Sequence, residues 1–180
     1  MARAARIRLL LMDVDGVWTD GLLHYVPSAK GTLVETKGFD SQDGIGLRWA
    51  VEAGIATGVI SGRLSPAVQH RAKTLGLAYV YQDRLDKLTV YEQVLAKAKL
   101  TDAEVCFLGD DLPDVPVLLR AGLAVAVSNA REEVKRCSHY VTHASGGHGA
   151  IRETVELLLR AQNRWQAVLT KYGLTESGSK

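Results

Sequence analysis

The stretch LLLMDVDGVWTDG, residues 9–21, joins an apolar run to two acidic residues, Asp13 and Asp15. The apolar part is typical of a strand that is covered on both faces of a parallel sheet, and the glycines after it indicate a turn. Two carboxylates this close repel each other, so we expect positive charge nearby. A turn or strand cap explains one of them, whereas a cation held at the carboxyl end of the strand explains both.

The opening pattern recurs along the chain, and strands alternate with helices throughout. EVCFLGDD, residues 104–111, is a second apolar run that stops at two acids. This alternation predicts an α/β fold of right-handed βαβ units, with a doubly wound parallel sheet flanked by helices. Two short alternating runs around PSAKG predict a β-hairpin insertion over residues 22–39, directly after the first strand.

Capping residues predict where several helices begin and end. SPAVQHRAKTLG predicts a helix with Ser65 as its N-cap, Pro66 at its first position and Gly76 just past its end. NAREEVKRC predicts a helix that is capped by Asn129. The segment from about residue 150 to residue 169 predicts one long helix.

Length and composition fit one domain, which we expect to span residues 1–172 and to be followed by a flexible tail, 173–180. The 180 residues are 47% hydrophobic, enough to bury a full core. The 22 basic and 20 acidic residues are well mixed, which argues against the basic surface of a nucleic-acid binder. No apolar run is long enough to cross a bilayer. We therefore expect a cytoplasmic protein with no nucleic-acid or membrane partner.

The predicted topology gathers polar side chains at one edge of the sheet, because ligands of doubly wound sheets bind at the carboxyl ends of the strands. The residues that fall there are Asp13, Asp15, Ser61, Gly62, Lys87, Asp110 and Asp111. Carboxylates around such a site suit Mg²⁺, while Ser61, the Gly62 amide and Lys87 suit an anion. Together they fit phosphoryl transfer, in which the catalyst mainly positions groups and neutralises charge. Helix caps and turns would explain any single motif, but explain less well why all share one edge.

Four motifs in this order resemble the haloacid dehalogenase superfamily of phosphotransferases: DVDGVWTDG, SGRLS, Lys87 and GDDLPDVPVL. The resemblance implies that Asp13 is the nucleophile, which forms an aspartyl-phosphate, and that Asp15 is the general acid and base. The other roles it implies are phosphate binding by Ser61, Gly62 and Lys87, and Mg²⁺ binding by Asp13, the Asp15 carbonyl and Asp110, with Asp111 orienting the waters of the metal.

A small branch of this superfamily lacks a cap domain. Three features of the chain resemble that branch: the hairpin, FDSQDGIGLRW and GGHGAIRE. The resemblance implies a homotetramer in which a neighbouring subunit covers the active site, and this chain has no stretch long enough for a cap of its own. It implies hydrolysis of a sugar-acid phosphate, preferably 3-deoxy-D-manno-octulosonate 8-phosphate in lipopolysaccharide precursor synthesis. A nonulosonate 9-phosphate is the alternative substrate, and a non-catalytic assembly or binding module is the alternative of another class.

Two residues are candidates for binding the carboxylate of the substrate. Arg63 can reach it, or can equally cap a helix or pair with Asp43. His148 lies in a glycine turn that either binds an anion or only makes a tight turn. His148 and Gln42 stand where the family more often has a basic residue, and Asp83 stands where it more often has glycine. These departures bear on the substrate and leave the reaction unaffected.

Overall fold

The computed structural model describes residues 1–174 and consists of eight strands in two sheets, with helices between the strands. The predicted tail therefore lies, from residue 175 onward, outside the described residues. The strands are β1 (Leu9–Met12), β2 (His24–Pro27), β3 (Leu33–Thr36), β4 (Ala56–Ile60), β5 (Tyr79–Tyr81), β6 (Val105–Gly109), β7 (Leu123–Ala126) and β8 (Tyr140–Val141). Six of them form a parallel sheet in the order β5-β4-β1-β6-β7-β8, which confirms the predicted α/β fold.

Strand β1 lies at the centre of the sheet, and its four residues are fully buried. Its Leu9 pairs with Ala56 of β4 on one side and with Val105 of β6 on the other. The chain first builds outward from β1 through β4 to β5, and then crosses to β6 and builds the other half. The crevice at such a reversal is where doubly wound sheets bind ligands, and Asp13 and Asp110 directly follow the two strands that flank it.

Helices cover the sheet, and two of them, α1 and α6, pack against each other over much of their length. The helices are α1 (Ser41–Glu52), α2 (Pro66–Leu75), α3 (Lys87–Ala98), α4 (Val115–Leu118), α5 (Glu132–Arg136), α6 (Ala150–Ala161) and α7 (Trp165–Lys171). Within residues 1–174, no helix combines the length and the apolar character that crossing a membrane requires. The same residues form no separate cap domain above the sheet edge.

The prediction of one long helix over residues 150–169 was wrong, because the chain breaks into α6 and α7. Asn163 adopts a left-handed backbone with φ of 55°, which ends the helical hydrogen bonding. The turn is held by Gln162, whose side-chain amide donates to the carbonyl of Ile7 at 2.8 Å. It brings the ring of Trp165 to 5.6 Å from that of Trp49, centroid to centroid. A tertiary contact between aromatic rings therefore overrides the local helical pattern.

Two predicted caps also differ from the structure. Gly76 ends α2 in the left-handed conformation as expected, but the hydroxyl of Ser65 makes no capping hydrogen bond. The backbone N–H of Ser65 instead donates to Gln82 at 2.8 Å. Helix α5 begins only at Glu132, and the side-chain oxygen of Asn129 accepts from the N–H of Gly146 at 2.8 Å. Asn129 therefore joins two loops beside the crevice.

The predicted hairpin is confirmed as the antiparallel pair β2–β3, with His24 opposite Thr36 and Pro27 opposite Leu33. It projects from the domain, and every residue of β2 is exposed. Its exposed apolar side chains, together with those that lead into it, are Leu22, Leu23, Tyr25, Val26, Leu33 and Val34. An apolar patch of this kind on a protrusion marks an interaction surface.

Candidate active site

A cavity of about 280 Å³ opens at the carboxyl edge of the sheet, and residues from all four motifs line it. The lining consists of Asp13, Asp15, Ser61, Gly62, Arg63, Leu85, Lys87, Asp110, Asp111, Pro113 and Asp114. Every residue predicted to bind phosphate or metal is in this set, and so is Arg63. His148 is not.

Asp13 is the first residue after β1 and is nearly buried, with 8% of its surface exposed. Its N–H donates to the carbonyl of Leu108 at 3.0 Å, which extends the pairing with β6 by one residue. Burial, together with the charge of Asp114, raises the pKa of Asp13 to about 7, although Lys87 acts in the opposite direction. The carboxylate is therefore costly to ionise until more positive charge arrives.

Lys87 supplies positive charge from the first turn of α3, where the carboxylate of Asp86 caps the helix. Its ammonium group lies 2.8 Å from Asp13 Oδ1 and donates to Asp114 Oδ1 at 2.6 Å. Burial acts to lower the pKa of Lys87, but these two carboxylates outweigh it and raise the pKa. The lysine is therefore held charged inside the cavity, as a group that binds a phosphoryl oxygen must be.

Asp114 is a member of the site that the sequence analysis missed. Its Oδ2 accepts from the N–H of Asp110 at 2.9 Å and from the N–H of Asp111 at 3.3 Å. A Cβ at Gly109 would lie 2.5 Å from the Asp114 side chain, so glycine is needed for this close return of the chain. The signal was a third acid in GDDLPD, which a tight helical turn brings back over the strand end.

Three carboxylates at the strand ends could hold a metal ion. Oxygens of Asp13, Asp110 and Asp114 lie within 4.8 Å of one another. Asp110 Oδ1 is buried without a hydrogen-bond partner, and burial together with Asp13 and Asp114 raises the pKa of Asp110 to about 8. A divalent cation would satisfy this oxygen and remove the repulsion, so the residues fit Mg²⁺. The Asp15 side chain is not part of this group, and metal binding by its carbonyl stays a prediction.

Asp111 lies at the rim of the cavity and is exposed. Its carboxylate accepts from the N–H of Leu112 at 2.8 Å and caps the short 3₁₀ turn Leu112–Asp114. This cap explains an acidic residue at the position without a metal. The predicted role in orienting the waters of the metal stays a prediction.

Ser61 and Gly62 follow β4 and line the same cavity as the carboxylates. Ser61 is 2% exposed, and its hydroxyl oxygen accepts from the N–H of Arg63 at 3.2 Å. A hydroxyl donates as well as accepts, so Ser61 can still offer its proton to an anion in the cavity. A Cβ at Gly62 would lie 3.2 Å from Leu85, which leaves little room for a side chain at this wall.

Asp15 is held by residues of the hairpin, which the sequence analysis did not assign to the site. Lys37, just after β3, contacts Asp15 Oδ1. Arg63 pairs with Glu35 of β3, and its Nε lies 3.7 Å from Asp15 Oδ2. The suggested pairing of Arg63 with Asp43 was therefore wrong. Alternation along β3 places Glu35 and Lys37 on one face, but the pattern does not show that this face lies against Asp15.

The glycine turn SGGHGA packs directly against the loop that carries Asp15. A Cβ at Gly146 would lie 1.7 Å from the carbonyl oxygen of Gly16, and the N–H of Gly147 donates to Val17 at 3.0 Å. Close backbone packing therefore accounts for these glycines. His148 is exposed beside them, and its predicted contact with substrate stays a prediction.

Asp43 is a buried carboxylate that binds the start of α6, next to the glycine turn. It lies on α1, and its two oxygens accept from the N–H groups of Gly149, at 3.3 Å, and Arg152, at 2.7 Å. These are orphan donors at the start of α6, so Asp43 caps a helix from another element. Burial raises the pKa of Asp43 to about 6.

Comparisons with known proteins show which family the chain resembles. A family model described as haloacid dehalogenase-like hydrolase matches residues 72–152. The 3-deoxy-D-manno-octulosonate 8-phosphate phosphatase KdsC of Yersinia pestis is 41% identical over 162 residues, which are 90% of this chain and 84% of that protein. KdsC of Escherichia coli strain K12 is 40% identical over 164 residues, 91% of this chain and 85% of that protein.

Solved structures extend the similarity to the whole fold. The 3-deoxy-D-manno-octulosonate 8-phosphate phosphatase from Moraxella catarrhalis, in complex with a magnesium ion, a phosphate ion and a KDO molecule, superposes with a TM-score of 0.90. It is 39% identical, and the match covers 95% of this chain and 96% of that chain. A probable YrbI family phosphatase from Pseudomonas syringae superposes with a TM-score of 0.91 at 42% identity, over 97% of both chains.

Proposed function

This chain belongs to the haloacid dehalogenase-like hydrolases, within the family of 3-deoxy-D-manno-octulosonate 8-phosphate phosphatases, and we propose that it hydrolyses that sugar-acid phosphate to KDO and inorganic phosphate. The observation that carries the proposal is the similarity, over 95% of this chain, to a phosphatase that was crystallised with magnesium, phosphate and KDO. The proposed setting is lipopolysaccharide precursor synthesis in the cytoplasm.

The proposed reaction has two steps, each with a proton assigned to Asp15. In the first, an oxygen of Asp13 bonds to phosphorus while the bond from phosphorus to the sugar oxygen breaks, and Asp15 donates a proton to that oxygen. In the second, Asp15 takes a proton from a water molecule, whose oxygen bonds to phosphorus as the bond to Asp13 breaks. Phosphate leaves, and both carboxyl groups return to their starting state.

The other residues of the cavity hold the phosphoryl group and balance its charge. Lys87 lies beside Asp13 and can bind a phosphoryl oxygen, and Ser61 and the Gly62 N–H can donate to the same group. Asp13 and Asp110 would hold Mg²⁺, with Asp114 next to them. When bound, Mg²⁺ supplies the positive charge that neutralises the phosphate oxygens during transfer.

The proposal includes assembly as a homotetramer. The support on this chain is the hairpin, whose apolar side chains at Leu33 and Val34 are 69% and 46% exposed. A second copy of the chain would bury them. The cavity is also open, and a neighbouring subunit would restrict the access of water to the reaction.

Phosphate release from a panel of esters tests the proposal. We expect the protein with Mg²⁺ to show its highest kcat/KM with 3-deoxy-D-manno-octulosonate 8-phosphate, and lower values with a nonulosonate 9-phosphate and with 4-nitrophenyl phosphate. Asp13→Asn is the matched control, because an amide of the same shape cannot attack phosphorus; it should abolish turnover and leave the fold intact.

Each other outcome assigns a different function. A preference for the nonulosonate 9-phosphate would replace the substrate and keep the reaction. Release from none of the esters would favour a non-catalytic module of the same fold. Substantial turnover by Asp13→Asn would remove Asp13 from the role of nucleophile.

A further inference from the structure

The side chain of Lys37 is buried although Lys37 belongs to an exposed hairpin. Only 1% of its side chain is exposed, whereas Lys30 at the hairpin turn is exposed. A buried ammonium group is costly unless carboxylates compensate it. Lys37 contacts Asp15 Oδ1 and lies 3.2 Å from Glu35 Oε1, so it bridges the hairpin to the carboxylate that is assigned the proton transfers.

Glu35 and Arg63 close this contact into a ring of four alternating charges. Glu35 is two residues before Lys37 on the same face of the hairpin, and Arg63 contacts its Oε2. Burial acts to raise the pKa of Glu35, but hydrogen bonds from Arg63 and Lys37 outweigh it and lower the pKa. Arg63 Nε lies 3.7 Å from Asp15 Oδ2, which completes the ring. Each member is therefore fixed by two neighbours of opposite charge.

The ring makes the two oxygens of Asp15 unequal. Oδ1 accepts from Lys37, whereas Oδ2 has only the longer contact to Arg63. Asp15 lies in a loop, and a loop carboxylate without such a partner can rotate among several positions. With Oδ1 held, Oδ2 is the oxygen that remains to exchange a proton with the leaving group.

We propose that Lys37 is a positioning residue, which fixes the Asp15 carboxyl group so that Oδ2 faces the leaving oxygen of the phosphate ester. The inference rests on the proposed function, because it assumes that Asp15 is the general acid. Glu35 holds Lys37 in turn. Neither residue lines the cavity, so neither is expected to contact the substrate.

A comparison of two esters tests the position of Asp15 directly. 4-Nitrophenolate leaves with little help from an acid, whereas phenolate needs a proton. The ratio kcat/KM includes the step in which the leaving group departs. We expect Lys37→Met to lower kcat/KM for phenyl phosphate by roughly 100-fold, the lower end of what a general acid contributes, and to lower it for 4-nitrophenyl phosphate by less than about tenfold.

Two further variants accompany Lys37→Met. Lys37→Arg keeps a cation on the hairpin and should recover part of the loss with phenyl phosphate. Lys30→Met removes the same functional group from an exposed position of the same hairpin and should leave both esters unchanged. If Lys37→Met fails to fold, Glu35→Gln serves instead, because it keeps Lys37 and removes the negative charge that holds the lysine in place. We then expect a smaller loss of kcat/KM, which is again greater for phenyl phosphate than for 4-nitrophenyl phosphate.

The outcomes separate this inference from the proposed substrate. Equal losses with both esters, or no loss with either, would overturn the positioning role of Lys37. A wild-type protein that is active on phenyl phosphate and inactive on 3-deoxy-D-manno-octulosonate 8-phosphate would overturn the substrate and still decide the role of Lys37. A wild-type protein that hydrolyses none of these esters would overturn both.

Discussion

Binding of Mg²⁺ should weaken strongly between about pH 8 and about pH 6, because the carboxyl groups that would hold the ion carry protons in that range. Burial and the charge of Asp114 raise the pKa of Asp13 to about 7 in the ion-free protein. Burial, Asp13 and Asp114 raise the pKa of Asp110 to about 8. Both pKa values lie above those of the same groups in an unfolded chain. The free energy of unfolding of the ion-free protein therefore falls as the pH rises and these groups ionise. Mg²⁺ reverses this effect by favouring the ionised forms.

The size of the effect follows from the two protons that must leave. Each carboxyl group weakens the apparent Kd about tenfold for every pH unit below its pKa. From pH 8 to pH 6, Asp13 and Asp110 each contribute at least about one factor of ten, so the apparent Kd rises by at least about 100-fold. A change of that size removes about 2.7 kcal/mol of stabilisation by the ligand. For a chain of 180 residues, this corresponds to a Tm lower by about 5–10 °C.

Thermal unfolding followed by circular dichroism measures this directly. The Tm in saturating MgCl₂ is compared with the Tm in a chelator at each pH, so that the difference reports the ion alone. The gain in Tm should be large at the higher pH and shrink by the stated amount at the lower one. Asp110→Asn removes one titrating group. The gain in Tm that Mg²⁺ gives this variant should be smaller than that of the wild type and should depend less on pH. A wild-type gain that is equal at both pH values would refute the reasoning.

Three other predictions concern stability, assembly and substrate binding. Asp43→Ala leaves the N–H groups of Gly149 and Arg152 without their acceptor, so it should lower the free energy of unfolding by about 1–3 kcal/mol in a denaturant titration; an unchanged midpoint would contradict the cap. The exposed apolar side chains of the hairpin should be buried between subunits, so light scattering at micromolar concentration should give a homotetramer, and a monomer would disprove this. His148→Arg adds a permanent charge and a bidentate donor, so it should lower KM for the acidic sugar phosphate and leave kcat unchanged, because the carboxylate has the same charge in the ground and transition states. The same change should do little with 4-nitrophenyl phosphate, and a fall in kcat with both esters would mean that His148 is structural.

The sequence was sufficient to predict which residues meet at the strand ends. Asp13, Ser61 and Asp110 follow three adjacent parallel strands, and such strands end at a common edge whatever the loops do. The apolar runs that identify the strands are local, so this part of the site needs no tertiary information. The prediction that Lys87 belongs to the site came from its motif and from its position at the start of a helix.

The remaining parts of the site depend on packing that no local pattern contains. Asp114 returns to the strand end because a 3₁₀ turn follows and Gly109 leaves room for it. Lys37 reaches Asp15 only because the end of the hairpin lies against the loop that carries Asp15, and the alternating pattern of the hairpin alone predicts a surface strand. The helix break at Asn163 follows from the packing of Trp165. The contacts of Lys37 and Trp165 join segments that are distant in the sequence, whereas Asp114 returns through a local turn.

The hairpin has consequences for how this protein can change over generations. One face of β2–β3, the outer face, carries the exposed Val26 and Val34, whereas the opposite face carries Glu35, and Lys37 just beyond it contacts Asp15. A substitution on the outer face that tilts the two strands would move both charged residues with them. Selection on turnover therefore acts on surface positions of the hairpin that touch no part of the cavity. We expect sequence drift in this hairpin to be slower than its exposure to solvent would suggest.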